Sequence, residues 1–478
     1  MRCLFVLPTT ALMGGVKVVL DLADRLNDAG DTAHVFSFAG APRWRERRAA
    51  LLPARDLAAV RFADYDFVFA CNAFLLPILL PLVAGSGARL AFFCQDYETF
   101  HHGSEPTFAS YMRDRHTFSR LYRLPVPIIA TSRAIQRLIR ERLGKDTLHV
   151  PVAIDHAVFV PQPLAPRGHR RRVLFVGNYL MPYKGIRNGI DALRRVAREW
   201  PVTLVLVTQE VRGRELFAAL PFPVEIHLRP TEPHLPALYA GCDLYCCASW
   251  YEGFGLPALE AFACGTPVVS TRTLGVSDYG MDGENLLLAQ PNDPADLAAQ
   301  IGRVLRDPAL AEQLRQGGFR TVHGRYDWSA TVAQFRRAVA EIDQTYIGPG
   351  PVDADALRAL LADLEAEGSF TPIDAFRTFE QLAGHLRDVC NAIVAGGATA
   401  AAPLDALREL RDGFRRHLGN PRTEYYPAFK AKFDLCQLLL GLADSAAFAD
   451  YVSLVTRRGA TGGLQPSPAL SEIRYPLP

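Results

Sequence analysis

The sequence has almost no excess charge of either sign and no long uninterrupted apolar run. Its 52 basic and 50 acidic side chains, among 478 residues, leave a formal charge of only +2, so no basic character suggests nucleic acid as a partner. The most apolar stretch, Phe74–Ala84, contains Pro77 and Pro81 and is too short to span a bilayer. The first apolar run, Leu4–Pro8, is too short for the core of a signal peptide. We therefore expect a cytoplasmic protein.

Cysteine is present, but it lacks the spacing of a metal site or of a disulfide framework. The nine cysteines include no CxxC pair, and the closest group is Cys242, Cys246 and Cys247, within or beside the apolar run Leu244–Ala248. We interpret these residues as buried free thiols in a reducing compartment.

Acidic pairs are also placed unfavourably for a divalent cation. Asp64 and Asp66 precede or enter a predicted strand, and Asp353 and Asp355 open a predicted helix. Neither context puts two carboxylates at the carboxyl end of a strand, where such a pair could bind a divalent cation. We therefore expect neither a bound metal ion nor a cofactor.

Short apolar runs alternate with helical patterns in the first third of the chain, which indicates a parallel sheet covered by helices. Helices are predicted over Val16–Ala29 and from Ser132, as N-cap, to about Gly144. Strands are predicted over Cys3–Pro8, His34–Phe38, Tyr65–Ala70, Leu90–Cys94 and Pro127–Ala130.

The stretch 161–170, rich in proline and arginine, interrupts this pattern as a linker, and the alternation then restarts. Further strands are predicted over Arg172–Val176, Val202–Val207, Val224–Leu228, Leu244–Ala248 and Pro267–Ser270. Helices are predicted over Gly185–Glu199, Arg212–Leu220 and Pro257–Cys264. The fold class is therefore α/β, with two Rossmann-like domains, 1–165 and 166–346, facing each other across a cleft.

The last part of the chain has helical patterns and no strand signal. We expect a helical extension over 350–458, which offers a surface for self-association because its apolar positions need to be covered. A flexible tail is predicted over 459–478, where glycine, proline and serine are frequent.

The most specific signal is the segment 249–269, SWYEGFGLPALEAFACGTPVV. A strand ends before it, a loop containing Gly253 and Gly255 allows close approach of a ligand, and Pro257 opens a helix. Helix N-termini at the carboxyl ends of parallel strands offer free N–H groups to phosphates. Glu260, one turn into the helix, is placed for neutral hydroxyls such as a ribose diol, because it would repel phosphate.

Glu252 and Glu260, separated by seven residues, resemble the double-glutamate signature of retaining GT-B glycosyltransferases of family 4. The resemblance implies that Glu260 holds the ribose of a sugar nucleotide and that Glu252 faces the donor sugar. The other donor-side residues that it implies are Gly253, Phe254, Gly255 and Leu256.

A second segment, Val173–Gly185, is similar to the one that opens the second domain in this family. There Lys184 would neutralise the donor diphosphate, whose charge grows as the sugar–phosphate bond breaks. A lysine at the positive end of a helix is unfavourable unless an anion binds, although a solvated surface lysine is the alternative. The family usually carries an arginine directly after Gly177. This chain has Asn178 instead, which removes one charge from the phosphate site.

The same resemblance extends to other parts of the two domains. Gly14 and Gly15, after the first strand, correspond to the glycine pair that lies under the donor diphosphate and acceptor. Arg229 and Thr231 would lie near the nucleobase. The helix Ser329–Tyr346 is expected to cross back to the first domain, as it commonly does in GT-B chains.

Polar side chains crowd after the strand Leu90–Cys94, and they are Gln95, Asp96, Glu98, His101 and His102. This segment resembles the Gln-Asp-Tyr-Glu segment of family 4 rhamnosyltransferases that build bacterial surface polysaccharides and S-layer glycans. We expect an acceptor site here, with Asp96, His101 and His102 as catalytic candidates. For each histidine, a loop of satisfied polar groups is the alternative.

The reaction implied is transfer of a sugar from a nucleoside diphosphate to a hydroxyl with retention, in bacterial glycan or polysaccharide biosynthesis. dTDP-rhamnose is the first donor to test, and GDP-mannose, UDP-glucose and related sugar nucleotides stay open. The acceptor is a glycan, a lipid-linked compound or another hydroxyl compound. Arginines of the first domain indicate either contact with an anionic membrane or a solvated face. One alternative is a catalytically silent GT-B scaffold that acts through its helical extension. A dinucleotide oxidoreductase is disfavoured because no G-x-G-x-x-G follows the first strand of either domain.

Overall fold

The computed structural model describes residues 1–10, 12–37, 42, 44, 50–52, 57–97, 120–161, 169–210 and 213–346. Of the remainder it describes 355–356, 359–360, 382, 385–386, 388–390, 392–393, 401–416, 436 and 440. The chain divides into two compact units, Met1–Asp363 and Leu364–Pro478. The first unit contains both sheets.

The first sheet has seven parallel strands in the order β3-β2-β1-β4-β5-β6-β7. The central strand β1 is buried on both faces, as expected where helices cover a parallel sheet. The strands are β1 (Arg2–Leu7), β2 (Thr32–Ser37), β3 (Ala50–Leu51), β4 (Phe67–Ala70), β5 (Arg89–Cys94), β6 (Ile128–Ala130) and β7 (Leu148–His149). The helices are α1 (Gly14–Asp28), α2 (Leu76–Val83) and α3 (Arg133–Leu143).

The second sheet has six parallel strands in the order β10-β9-β8-β11-β12-β13. The strands are β8 (Arg171–Val176), β9 (Val202–Thr208), β10 (Val224–Leu228), β11 (Leu244–Cys247), β12 (Val268–Thr271) and β13 (Leu287–Ala289). The helices are α4 (Ile186–Val196), α5 (Leu235–Ala240), α6 (Leu256–Ala263), α7 (Pro294–Arg306), α8 (Pro308–Arg325) and α9 (Trp328–Thr345). The strand order reverses between β8 and β11, so a ligand crevice is expected at their carboxyl ends.

Helix α9 follows the second sheet in the chain but packs on the first. Its Phe335 is fully buried, with ring centroids 5.9 Å from Phe5, 5.2 Å from Phe69 and 6.3 Å from Phe93. Arg336 on the same helix pairs with Asp31 at 2.8 Å. The core of the first sheet is therefore completed by residues from the far end of the unit.

The α/β prediction is confirmed, and the predicted strands agree with the observed ones to within two residues at each end. The cap of α3 is also as predicted, since the Ile135 amide donates to Ser132 Oγ at 3.0 Å. The helix predicted over Arg212–Leu220 is wrong: only a 3-10 turn, Arg214–Phe217, forms in the described part of that segment. Gly213 precedes this turn in the left-handed conformation, with φ +72°, and Pro221, which has no backbone N–H, follows the segment.

The domain limits at 165 and 346 stay predictions, because the observed division falls at residue 363. In the second unit, helix α10 (Ala401–Arg416) buries Leu407, Leu410 and Phe414 along one face. The predicted tail, 459–478, lies outside the described residues. All nine cysteines are buried free thiols, as predicted.

Candidate functional site

The connection after β8 positions Lys184 beside the carboxyl end of β11. A 3-10 turn, Pro182–Lys184, leads to Gly185, which begins α4 in the left-handed conformation with φ +60°. A Cβ atom on Gly185 would lie 1.9 Å from the carbonyl oxygen of Ala248, so only glycine allows the two segments to approach this closely.

Lys184 and Glu252 form a partly buried ion pair at this switch point. Lys184 Nζ lies 2.8 Å and 3.0 Å from the two carboxylate oxygens, and Ser249 Oγ donates to Glu252 Oε1 at 2.6 Å. The two charged side chains are only 22% and 15% exposed. Burial disfavours the ammonium, but the Glu252 carboxylate outweighs it and holds the pKa of Lys184 above its ordinary value. The alternative of a solvated surface lysine is therefore wrong.

The loop after Glu252 contacts the first domain directly. A Cβ atom on Gly253 would lie 2.5 Å from the Gln95 carbonyl oxygen, so the two backbones meet at this glycine. The Tyr97 amide donates to Tyr251 Oη at 2.8 Å, and this bond is buried. Residues predicted for the donor side and for the acceptor side are thus brought together.

The two helix N-termini predicted to face the donor also meet here. A Cβ atom on Gly14, the first residue of α1, would lie 3.6 Å from Leu256 Cδ1, at the start of α6. A Cβ atom on Gly15 would lie 3.4 Å from the amide group of Gln95. Both helices have their positive ends at this position, which suits an anion such as a diphosphate.

Glu260 lies on α6 with only 7% of the residue exposed. Its Oε2 accepts a hydrogen bond of 2.8 Å from Tyr239 Oη on α5. Burial raises the pKa of Glu260, while the positive charge of Lys17 and the bond from Tyr239 act in the opposite direction. Sequence reasoning missed Tyr239 and Lys17, because both are distant from Glu260 in the chain and belong to no motif.

A second polar contact between the domains involves the turn Gly275–Asp278. Asp278 accepts hydrogen bonds from the amides of Arg133 and Ala134, at 2.6 Å and 2.8 Å, at the start of α3. The Gly275 amide of the same turn donates to the Glu252 carbonyl at 2.8 Å. This turn therefore connects the first domain to the Glu252 loop, and the sequence offered no signal for it.

Several predicted residues have local structural partners. Asn178 Oδ1 accepts from the Leu180 amide at 2.9 Å and so stabilises the turn after Gly177. Arg229, exposed and with φ +48°, donates from Nε to the Gln209 carbonyl at 3.1 Å. Thr231 Oγ1 lies 2.6 Å from His234 Nδ1. The structure therefore does not bring Arg229 and Thr231 into contact with Glu252 or Glu260.

The Phe254 ring is buried between Tyr279 and Tyr326, with both centroid distances 5.7 Å. Tyr279 Oη also donates to the Gly255 carbonyl at 3.1 Å. These contacts fix the loop that precedes α6. Phe254 and Gly255 thus contribute to the site by stabilising the conformation of this loop.

On the acceptor side the structure describes Gln95, Asp96 and Tyr97. The Tyr97 amide donates to Asp96 Oδ1 at 2.8 Å, and the Asp96 carbonyl accepts from Tyr122 Oη at 3.0 Å. The predicted residues Glu98, His101 and His102 lie outside the described residues.

The described residues contain neither a candidate metal site nor a candidate membrane span. No group of three or more His, Cys, Asp or Glu side chains among them could hold a metal ion. No helix among them is both long enough and apolar enough to cross a membrane.

One known family model matches most of the second domain. Residues 170–307 match the family model described as "Glycosyl transferases group 1". The MMP alpha-(1->4)-mannosyltransferase of Mycolicibacterium hassiacum is 33% identical over 212 residues, which are 42% of this chain and 51% of that protein. The D-inositol 3-phosphate glycosyltransferase of Acidothermus cellulolyticus is 35% identical over 220 residues, 40% of this chain and 48% of that protein. The chain thus spans about half the length of the curated relatives it matches.

Solved structures show the fold of the whole two-sheet unit. Anabaena Alr3699/HepE in complex with UDP and glucose superimposes with a TM-score of 0.60 at 19% identity, covering 71% of this chain and 100% of that one. The sucrose-phosphate synthase from Thermosynechococcus elongatus gives 0.59 at 19% identity, covering 72% and 100%. The fold is therefore that of the GT-B glycosyltransferases.

Proposed function

We propose that this GT-B chain, with its glycosyl transferases group 1 segment, moves a sugar from a nucleoside diphosphate to an acceptor hydroxyl. The observation that carries the proposal is the partly buried pair of Lys184 and Glu252 at the switch point of the second sheet, with Glu260 on the helix that follows. The curated relatives named above are glycosyltransferases, and one structural neighbour was solved with UDP and glucose.

Each of these residues has a distinct proposed task. Lys184 and the N-termini of α1 and α6 receive the diphosphate, while Glu260 accepts hydrogen bonds from the ribose hydroxyls. Glu252 faces the donor sugar. As the bond from the sugar C1 to the diphosphate breaks, its electron pair passes to the diphosphate, and Lys184 stabilises that charge.

The acceptor oxygen then forms the new bond to C1, and its proton passes to the leaving diphosphate. We propose retention at C1, no bound metal ion and no protein nucleophile, as in the family 4 enzymes that the motifs resemble. The protein contributes positioning and charge stabilisation. Gln95 and Asp96 are the proposed acceptor-side residues nearest to the Glu252 loop, and the proposal extends to Glu98, His101 and His102.

The identity of donor and acceptor is part of the proposal. dTDP-rhamnose is the first candidate, because the segment from Gln95 to Glu98 resembles that of surface-polysaccharide rhamnosyltransferases. GDP-mannose and UDP-glucose are the comparison donors, since relatives include a mannosyltransferase and a structure with UDP and glucose. The proposed acceptor is a glycan or a lipid-linked compound, reached on the cytoplasmic side of a membrane.

A catalytically silent scaffold is the alternative function. Asn178 favours it, because its side chain caps a turn and supplies no positive charge for phosphate. The complete set of Lys184, Glu252 and Glu260 in one site argues against it.

The decisive experiment is a donor screen with the full chain. Release of nucleoside diphosphate from dTDP-rhamnose, GDP-mannose and UDP-glucose is measured by phosphorus NMR, with and without a glycan or lipid-linked acceptor. We expect slow hydrolysis of one donor, abolished in Lys184→Ala, and a product anomer that matches the donor when acceptor is supplied. If the wild type hydrolyses none of the three donors, and calorimetry detects binding of none of them, the scaffold function is favoured. An inverted anomer would refute retention.

A further inference from the structure

Lys17 connects the two domains at the end of the cleft where Glu260 lies. It stands one turn into α1, and its side chain is only 18% exposed. Its Nζ lies 2.6 Å from Asp21 Oδ2 on the same helix and 2.7 Å from Glu232 Oε1 in the turn that follows β10. The first partner moves with Lys17, whereas the second belongs to the other domain. Separation of the domains would therefore break only the pair with Glu232.

Three carboxylates among the described residues interact with Lys17. Asp21 and Glu232 pair with it directly. The buried Glu260 interacts with it through charge: burial raises the pKa of Glu260, and the Lys17 charge opposes that rise. A ribose brings hydroxyl donors and no charge, so it suits such surroundings, whereas a diphosphate would be repelled.

We infer that Lys17 is a positioning residue that closes the first domain over the nucleoside half of the donor by pairing with Glu232. This inference rests on the proposed function of the site. Neither residue contacts the reacting sugar in this scheme. They act through the distance between α1 and α6, whose first residues already meet where Gly14 faces Leu256.

The inference distinguishes the nucleoside end from the phosphate end. The Lys17 charge is already compensated by Asp21 and Glu232, so its removal changes the binding of a bare phosphate compound little. Its removal does loosen the closed arrangement that a nucleoside needs. A partly buried ion pair of this kind changes affinity by about fivefold.

The experiment is a double-mutant cycle on the full chain. Lys17→Met, Glu232→Gln and the double variant are compared with Lys17→Arg, which keeps the charge. Arg25→Met is the matched control, because Arg25 lies on the same helix and pairs at 2.8 Å with Asp155, which belongs to neither sheet. Binding of UDP, GDP, dTDP and inorganic diphosphate is measured by calorimetry, and folding by thermal unfolding.

We expect each single variant to weaken the preferred nucleoside diphosphate about fivefold and the double variant no more than either, because the two residues act as one pair. Lys17→Arg and Arg25→Met stay within about twofold of the wild type, as does diphosphate binding in every variant. Losses that multiply in the double variant, equal losses for inorganic diphosphate, or unchanged nucleotide binding would each overturn the inference. A wild-type protein that binds none of the three nucleotides would overturn the donor site and this inference together.

Discussion

Replacing Glu252 by glutamine is expected to tighten the binding of nucleoside diphosphate while it suppresses sugar transfer. The Glu252 carboxylate is the partner of Lys184, through contacts of 2.8 Å and 3.0 Å. An arriving diphosphate must therefore displace it from the ammonium. Glutamine keeps an acceptor oxygen for Lys184 and Ser249 but removes the charge.

The size of the effect follows from the charge that glutamine removes. An ion pair that is partly exposed contributes about 1 kcal/mol, and the Lys184 ammonium keeps a hydrogen bond to the glutamine oxygen. The easier displacement therefore lowers Kd by about fivefold. The rate of sugar transfer should fall although binding tightens, because a charged contact to the donor sugar is lost. We expect kcat to drop at least about tenfold.

Calorimetry with UDP, GDP and dTDP, and turnover with the matching sugar nucleotide, give both quantities on the same preparation. Glu225→Gln is the control, because Glu225 is an exposed carboxylate of the same domain, paired with Arg172. It should change neither quantity. A folded Glu252→Gln protein that binds nucleotide more weakly than the wild type, or that transfers sugar at the full rate, would refute the exchange of partners at Lys184.

Three further predictions concern Glu260, the need for a metal ion, and His149. Glu260→Ala should weaken nucleoside diphosphate binding by about 1.5–3 kcal/mol, and unchanged affinity in calorimetry would contradict the ribose role. Donor hydrolysis should survive dialysis against EDTA, since a loss restored by manganese or magnesium would show that a metal ion takes part. Burial, and then the charge of Arg133, lower the pKa of His149 to about 4, and neither ring nitrogen has a hydrogen-bond partner among the described residues. Because the unfolded histidine binds a proton below about pH 6.5, the wild type should lose stability between pH 6.5 and 4, by about 1–2 kcal/mol after allowance for partial exposure. His149→Leu should remove that loss, and urea unfolding at pH 5 and pH 8 compares the two proteins.

The fold was predictable because its signals are local. Buried parallel strands are almost wholly apolar, so β1 and β9 could be placed from the sequence within one or two residues. Short edge elements such as β3, with two residues, and β7 have too few positions to produce a pattern, and they were not predicted. The segment after β9 failed because a helical pattern met Gly213 and Pro221, which act on the backbone and not on hydrophobicity.

The site was predictable only where its residues follow each other in a motif. Glu252, Glu260 and Lys184 could be found because each lies within three residues of a glycine or a proline that marks a strand-to-helix turn. Lys17 and Tyr239 could not, since they are separated from Glu260 by 243 and 21 positions and are ordinary residues of amphipathic helices. Contacts between domains depend on how two finished surfaces meet, which no local pattern encodes.

The position of α9 on the first sheet has a consequence for the order in which the protein is made. The aromatic cluster of Phe5, Phe69 and Phe93 is complete only when Phe335 arrives, roughly 190 residues after His149 ends the first sheet. At ordinary ribosomal speeds that delay is roughly 10–40 s. During this delay the nascent first domain carries an uncovered apolar face. The second domain is synthesised later, but all its own strands and helices are available before α9 completes the first domain. Chaperone binding during translation should therefore concentrate on the amino-terminal half of the chain and end when α9 emerges.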